Sequence, residues 1–305
     1  MTSWVPTPME SIRLDDADEG VALWAKLESS NPTASVKDRT AHWMVDAAES
    51  SGALEPGGTI VESSSGNTGI ALAALGARRG YRVVIVCSER VPPEKRMMLE
   101  LLRAEVVTVP DAELGTDKHY LARAQQIADD LGGVFVNQYE NPANPAAHYA
   151  TTGPEIWRQR SGRVDIFVAG AGTGGTITGT ARYLREKNPT VEVVLADPVG
   201  SIYAHAHATG ELTDPQPYAV EAVGQAERMI PSSIDLGQVD RVESIPDDES
   251  FAAVHRAAAQ GLLVGPSAGL ALAAALRVAA QAAAGTQIVT IFPDSAGRYL
   301  SRGIR

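Results

Sequence analysis

Lys37 sits in the run Asn31-Pro32-Thr33-Ala34-Ser35-Val36-Lys37-Asp38-Arg39, and two polar, glycine-rich loops follow it at 63–69 and 170–179. A lysine amine that sheds its proton attacks an aldehyde to give a Schiff base. The two loops could hold two anions, because free backbone N–H groups and small hydroxyls suit a phosphate in one place and a carboxylate in another. A lone lysine says little, since an ordinary solvated lysine is the commoner case. The loops are what give Lys37 its interest.

The run around Lys37 reads as the start of a helix. Pro32 restricts Asn31 to extended geometry. Ser35 is a candidate N-cap, with Asp38 three residues on, in the place of the capping-box glutamate. Val36, Thr40, Trp43, Met44 and Ala47 recur at helical spacing. Lys37 then lies in the first turn. There the positive end of the helix dipole, together with burial, disfavours the ammonium and favours the neutral nucleophile.

The first loop, Ser63-Ser64-Ser65-Gly66-Asn67-Thr68-Gly69, lies between a β-like run at 59–62 and a small-residue helix at 70–77. Strand–loop–helix leaves N–H groups and the helix dipole for an anion. The hydroxyls and the Asn67 amide add donors without adding a second amine to compete for an aldehyde. The same residues also suit an elaborate N-cap. The second loop, Gly170-Ala171-Gly172-Thr173-Gly174-Gly175-Thr176-Ile177-Thr178-Gly179, follows an apolar strand at 165–169 and opens another helix. Its glycines allow close approach of a phosphate, and Thr173 and Thr176 add hydroxyls. It is not on the first strand of the chain, as a dinucleotide fingerprint would be, and it lacks the Gly-Lys-Ser/Thr ending of a P-loop. Lysine and loops together describe a site for pyridoxal phosphate and an amino acid.

From Thr7-Pro8-Met9 to Tyr299-Leu300-Ser301 the chain resembles the cysteine synthase and cystathionine β-synthase family of fold-type II pyridoxal-phosphate enzymes. The resemblance is carried by the Lys37 run, Ser65-Gly66-Asn67-Thr68-Gly69, Asn141-Pro142-Ala143-Asn144-Pro145, Gly172-Thr173-Gly174-Gly175-Thr176, Gly265-Pro266-Ser267-Ala268-Gly269 and Pro293-Asp294-Ser295, in that order. It implies that Lys37 is the catalytic and cofactor lysine. It implies cofactor contacts from Asn67, Gly172, Thr173, Gly174, Gly175, Thr176 and Ser267, and substrate contacts from Ser64, Ser65, Thr68, Gln138 and Ala222. Read alone, Ser267 would be an N-cap and Gln138 a polar loop residue. The resemblance places Ser267 at the pyridine nitrogen. A neutral hydroxyl there does not keep the ring protonated as an aspartate would, which suits β-elimination better than transamination. His148 and Tyr149 match family positions but could simply pack.

The implied fold is α/β with two domains, each a mostly parallel twisted sheet flanked by helices, like the β subunit of tryptophan synthase. Residues 1–39 with 146–305 would form the large cofactor domain, and 40–145 a smaller, mobile domain binding the substrate carboxylate. The implied reaction is β-replacement on an O-activated L-serine, O-acetyl- or O-phosphoserine, through an α-aminoacrylate. Lys37 would take and return the α-proton, and the product would be L-cysteine or an S-substituted analogue. Cystathionine β-synthase activity is an alternative, as is a nitrogen or hydroxyurea nucleophile giving diaminopropionate or O-ureidoserine. Three departures bear on this choice. Ser64 stands where relatives have Thr, Glu221-Ala222-Val223-Gly224 replaces Glu-Gly-Ile-Gly, and an unusual Gln225-Ala226-Glu227-Arg228-Met229 follows. Residues 218–229 are expected to line the cleft mouth and to choose the second substrate. A non-catalytic relative is the opposing class, and the intact Lys37 argues against it. The resemblance further implies a homodimer.

Composition agrees. The chain has 305 residues, 44% hydrophobic, and a net charge of −11, which argues against partners such as nucleic acid or an anionic membrane surface. The N-terminal segment lacks the pattern of a signal peptide, so a cytoplasmic location fits. The single cysteine, Cys87, reads as a small buried strand residue. His205 and His207 lack a third ligand at suitable spacing, so no metal is expected. Periodicity predicts strands at 22–27, 59–61, 82–87, 105–109, 134–136, 164–169, 191–196, 241–245 and 287–292. It predicts helices at 37–50, 68–79, 94–102, 117–131, 147–159, 175–187, 247–259 and 268–283. Strands alternating with helices of this length imply parallel βαβ units. The stretch 197–240 is the least regular.

Overall fold

Apolar β-branched runs flanked by helix-length segments can pair in parallel, because each crossover has room for a helix. The computed structural model describes residues 5–14, 20–64, 66–89 and 91–302. Its first half contains β1 (Met9–Ile12), β2 (Ala22–Leu27), α1 (Lys37–Ser50), β3 (Thr59–Ser63), α2 (Asn67–Arg79), β4 (Arg82–Ser88), α3 (Pro93–Leu101), β5 (Glu105–Val109), α4 (Tyr120–Leu131) and β6 (Val134–Phe135). Its second half contains α5 (Ala143–Ala150), α6 (Thr152–Gln159), β7 (Ile166–Gly170), α7 (Gly175–Lys187), β8 (Glu192–Pro198), α8 (Tyr203–Thr209), β9 (Arg241–Ile245), α9 (Asp247–Ala258), α10 (Pro266–Ala279) and β10 (Gln287–Phe292). Four short 3-10 turns complete the set among the described residues.

The strands form two sheets. One has six strands in the order β1-β2-β10-β7-β8-β9, parallel except for the edge strand β1. The other has four, in the order β5-β4-β3-β6, all parallel. Val83–Val86 of β4 are all buried, as a strand covered on both faces must be. Cys87 continues that strand and is buried, as its apolar neighbours suggest. Helix α1 packs beside both sheets. Ala41, Met44, Val45 and Ala48 pack with Ile60, Ile70 and Ile85 beside the four-stranded sheet, whereas Arg39 is ion-paired to Glu28 and Glu155 beside the six-stranded one. Among the described residues no helix is long and apolar enough to cross a membrane.

Strands β2, β5, β9 and β10 and helices α1 and α7 fall at the expected bounds. The single helix expected at 147–159 is two, α5 and α6. Pro154 has no N–H for the Ala150 carbonyl and would clash with it, so the chain breaks at Thr151 (φ −124°, ψ −67°). Strand β1 escapes periodicity because only Ile12 of its four residues is buried, and pairing with β2 holds it instead. Helix α8 lies within the irregular stretch, ending at the left-handed Gly210.

Candidate active site

Lys37 is the first residue of α1, at the C-terminal end of the six-stranded sheet. The Val36 N–H donates to the Pro293 carbonyl just past β10 (2.8 Å), and Ser35 bridges to Asp294. The capping expectation needs correction. Val36 occupies the cap position, and the Ser35 hydroxyl lies 3.4 Å from the Lys37 N–H, too long for a good cap. Asp38 turns back to Thr33 instead, accepting from its N–H (3.2 Å) and its hydroxyl (2.7 Å). Ala34 at φ 57° folds the preceding turn so that Thr33 faces Asp38. Burial lowers the Lys37 ammonium to about 8, against the pull of Asp294 and Glu62. Glu62, near the end of β3, is itself pushed up to about 8 by burial. Its Oε2 accepts the Gln138 N–H (3.3 Å), and its Oε1 has no partner.

The first loop joins β3 to α2. Ser64 is partly the cap that the alternative reading proposed. Its hydroxyl oxygen accepts the N–H groups of Gly66 (3.2 Å) and Gly69 (3.0 Å). That leaves the Asn67 and Thr68 N–H groups at the helix end. The Thr68 hydroxyl donates to Gln138 Oε1 (2.6 Å), so Thr68 and Gln138 are coupled. Ser65 lies outside the described residues. The Asn67 amide is oriented by two partners. Its Nδ2 donates to Asp294 (2.6 Å) and its Oδ1 accepts from Arg298 (2.8 Å), leaving one hydrogen and one lone pair for the cleft.

The second loop joins β7 to α7, and no side chain caps α7. The N–H groups of its first turn therefore remain for an anion. Gly174 has φ +84°, and a Cβ there would strike Ile234. A Cβ at Gly175 would strike the Asn144 side chain. Only glycine fits at either point. The loop is gripped from behind by α5. Asn144 Nδ2 donates to the Thr173 hydroxyl (2.9 Å) and to the Gln138 carbonyl (2.8 Å). The Thr176 hydroxyl lies 3.2 Å from His148 Nε2, and burial holds that imidazole neutral, at about 3. Asn144 thus ties the second loop to Gln138, which is itself bonded to Thr68 of the first, a role sequence reasoning missed. Its signal was present in the Asn-Pro-Ala-Asn-Pro run, which served only as a marker. His148 does more than pack, whereas Tyr149 is exposed and donates to Glu186.

A cleft of about 850 Å³ is lined by Lys37, Ser64, Asn67, Thr68, Gln138, Gly172, Thr173, Gly174, Thr176, Ala222 and Ser267. Gly175 lies behind this wall, against Asn144. Ser267 is the second residue of α10, not its cap, since Gly265 takes that position. Its hydroxyl is buried without a partner, as a group awaiting a ligand would be. Ala222 is left-handed at φ 64°. A lysine held near neutrality, an uncapped glycine-rich helix end and a partnerless neutral hydroxyl fit the aldehyde, phosphate and ring nitrogen of pyridoxal phosphate.

The sequence family described as pyridoxal-phosphate dependent enzyme matches residues 2–294. The chain belongs to this family. It is 39% identical to the O-acetylserine dependent cystathionine beta-synthase of Bacillus subtilis, over 98% of this chain and 94% of that protein. It is 41% identical to the cystathionine beta-synthase of Rattus norvegicus, over 97% of this chain but 53% of the rat protein, so it spans about half the length of that relative. Among solved structures, O-ureido-L-serine synthase superposes with a TM-score of 0.89 at 36% identity, covering 98% of this chain and 92% of the other. The O-acetylserine dependent cystathionine beta-synthase of Helicobacter pylori superposes equally well, with a TM-score of 0.89 at 36% identity, covering 98% and 95%. The protein is thus a fold-type II pyridoxal-phosphate enzyme.

Proposed function

We propose that this enzyme replaces the acetoxy group of O-acetyl-L-serine with the sulfur of L-homocysteine, releasing acetate and forming cystathionine. The observation that carries β-replacement is the partnerless, neutral Ser267 hydroxyl in the same cleft as Lys37. The near full-length relative with the matching name supports the choice of substrates.

Pyridoxal phosphate, when bound, supplies an electrophilic aldehyde and a ring that takes up electrons from the substrate α-carbon. The 172–176 loop would hold its phosphate, Ser267 its ring nitrogen and Lys37 its aldehyde carbon, with Asn67 beside the ring. Ser64, Ser65, Thr68 and Gln138 would hold the substrate carboxylate, and the Ala222 carbonyl the substrate amine. Lys37 Nζ takes the α-proton and returns it after the C–S bond forms, while the acetate carries away the electrons of the C–O bond. Its depressed pKa of about 8 keeps a usable neutral fraction at physiological pH. Residues 1–39 with 146–305 and residues 40–145 act as two bodies in this proposal. Carboxylate binding draws them together and excludes water.

Incubating the holoenzyme with O-acetylserine and homocysteine should give equal amounts of cystathionine and acetate by mass spectrometry. No acetate under any condition sinks the proposal. The structural likeness to O-ureido-L-serine synthase favours a second reading with hydroxyurea as nucleophile, and the same assay identifies that product.

A further inference from the structure

The mouth of the cleft is built from opposite charges that do not all cancel. Glu221 lies between Lys95 (3.2 Å) and Arg302 (3.1 Å), so its charge is matched. Glu227 differs. Its Oε1 accepts from the Tyr120 hydroxyl (2.7 Å) and lies 3.0 Å from His119 Nε2. A carboxylate can only accept, so Nε2 carries the ring proton and His119 is a second donor to Oε1, with Nδ1 turned to the Leu121 N–H (3.4 Å). Glu227 Oε2 is buried and has no partner. The residue is held in place by Gln225, whose Oε1 accepts the Glu227 N–H (3.0 Å) and whose own N–H donates to Ser201 (3.0 Å). The run that looked unusual in the sequence is therefore an ordered turn presenting one carboxylate. Glu227 and Tyr120 both line the cleft.

A carboxylate oxygen withdrawn from water without a donor is costly. Lys95 and Arg302 do not relieve it, because they are drawn to Glu221. A ligand ammonium would. A nucleophile such as hydrosulfide has no group for this oxygen. We infer that Glu227 Oε2 receives the α-ammonium of the second substrate and thereby selects a thiol amino acid over hydrosulfide and over thiols without an amine. This rests on the β-replacement reading and adds the class of nucleophile to it.

The test uses the holoenzyme with O-acetylserine and three nucleophiles: L-homocysteine, 4-sulfanylbutanoate, which is homocysteine without its amine, and hydrosulfide. Acetate released before any thiol is added reports the first half of the reaction by itself. If none appears, the β-replacement reading falls and this inference with it. Given that release, wild type should favour homocysteine over 4-sulfanylbutanoate in kcat/KM by roughly ten- to a hundredfold, the factor expected of one charge-assisted hydrogen bond. In Glu227→Gln that ratio should fall towards one, through KM for homocysteine. A wild-type ratio near one overturns the inference without any variant having to fold. So does a Glu227→Gln enzyme that loses the same factor with all three nucleophiles, since Glu227 would then only clasp α4 to the mouth.

Discussion

Two sets of ion pairs flank the cleft, and they are built differently. Beneath α1, Arg39 pairs with Glu28 (2.7 Å) and Glu155 (2.6 Å), and Lys26 with Glu155 (2.8 Å), at 0–3% side-chain exposure. Thr7 and Gln159 complete the hydrogen bonds. At the mouth, Arg302 and Glu221 are 50% and 29% exposed, and His119–Glu227 crosses from the start of α4 to the 218–229 segment. The buried set is saturated, and Arg39 drives Glu28 down to about 2 against the effect of burial. Such a network holds the Lys37 end of α1 in one position. The mouth set joins buried Lys95 and His119 to the partly exposed Glu221, Glu227 and Arg302 and has a carboxylate oxygen to spare, so it can exchange partners when a substrate arrives. The same chemistry serves fixity where it is dry and choice where it is half wet.

The comparison breaks most visibly if the fixed end of α1 is not where the chemistry is. Lys37→Ala should lower turnover by a factor on the order of 10³ or more, because it removes both the aldehyde-binding amine and the base. Acetate release from O-acetylserine measures it, and near wild-type turnover would refute the assignment. The next largest effect is on stability. Arg39→Ala leaves Glu28 buried without its guanidinium and Glu155 with Lys26 alone, at a cost of about 3–5 kcal/mol. Glu221→Gln at the mouth should cost less than about 1 kcal/mol. Urea denaturation of both variants decides this, and similar losses would mean the two sets are not different in kind.

A third prediction separates the sets by pH. In the folded apoprotein Glu62 titrates at about 8 rather than near 4.5, and Lys37 at about 8 rather than near 10.5. For Glu62 the folded form binds the extra proton, so its contribution is full below the unfolded pKa and is lost as pH rises to about 8. For Lys37 the unfolded form binds the extra proton, so stability returns as pH rises from about 8 towards 10.5. The sum predicts a stability minimum near pH 8. Glu62→Gln should erase the falling limb and keep the rising one. Glu28, which already titrates at about 2, should not contribute in this range, and Lys26 of the same network, its ammonium also lowered by burial, can add only to the rising limb. A flat profile from pH 5 to 10 in wild type would contradict the burial of this pair.

Much of this was legible beforehand, for identifiable reasons. Lys37, the Gly172–Thr176 loop and Asn67 sit at strand–helix junctions, where local residue types encode backbone exposure directly. The inner parallel strands β4, β8 and β10 are rich in β-branched residues and buried on both faces. What escaped depends on partners distant in sequence. Asn144 acquires its role only because α5 packs against α7 and brings it to Thr173 and Gln138. Glu227 meets His119 and Tyr120 across more than a hundred residues. The turn of Asp38 back to Thr33, in place of a capping box, could not be foreseen because it hinges on a left-handed alanine at position 34, a conformation that residue type disfavours. Ser267 was ambiguous for the opposite reason: its local signal favours a cap, and only its partnerless burial in the cleft argues otherwise.

Ser267→Ala tests that ambiguity with a modest effect. Losing one neutral hydrogen bond, about 0.5–1.5 kcal/mol, should weaken cofactor affinity a few-fold to about tenfold while acetate release persists. An unchanged affinity would return Ser267 to a structural role.

The smallest effect belongs to Ala222, and it bears on what the mouth gives up for selectivity. Its left-handed backbone costs an alanine roughly 1 kcal/mol that a glycine would not incur. Its carbonyl oxygen lies 3.4 Å from where a Cβ on Gly172 would stand, so the strained turn aims a backbone acceptor across the 172–176 loop. Ala222→Gly relieves the strain but adds unfolded-state entropy, so the two terms should nearly cancel, leaving stability within about 0.5 kcal/mol of wild type. The effect should appear in recognition instead. A looser turn no longer fixes the carbonyl or the Glu227 carboxylate five residues on, so the preference for homocysteine over 4-sulfanylbutanoate should narrow by a few-fold. If Ala222→Gly changes stability by several kcal/mol and leaves that preference alone, the mouth is a structural element like the network beneath α1, and the contrast between them fails.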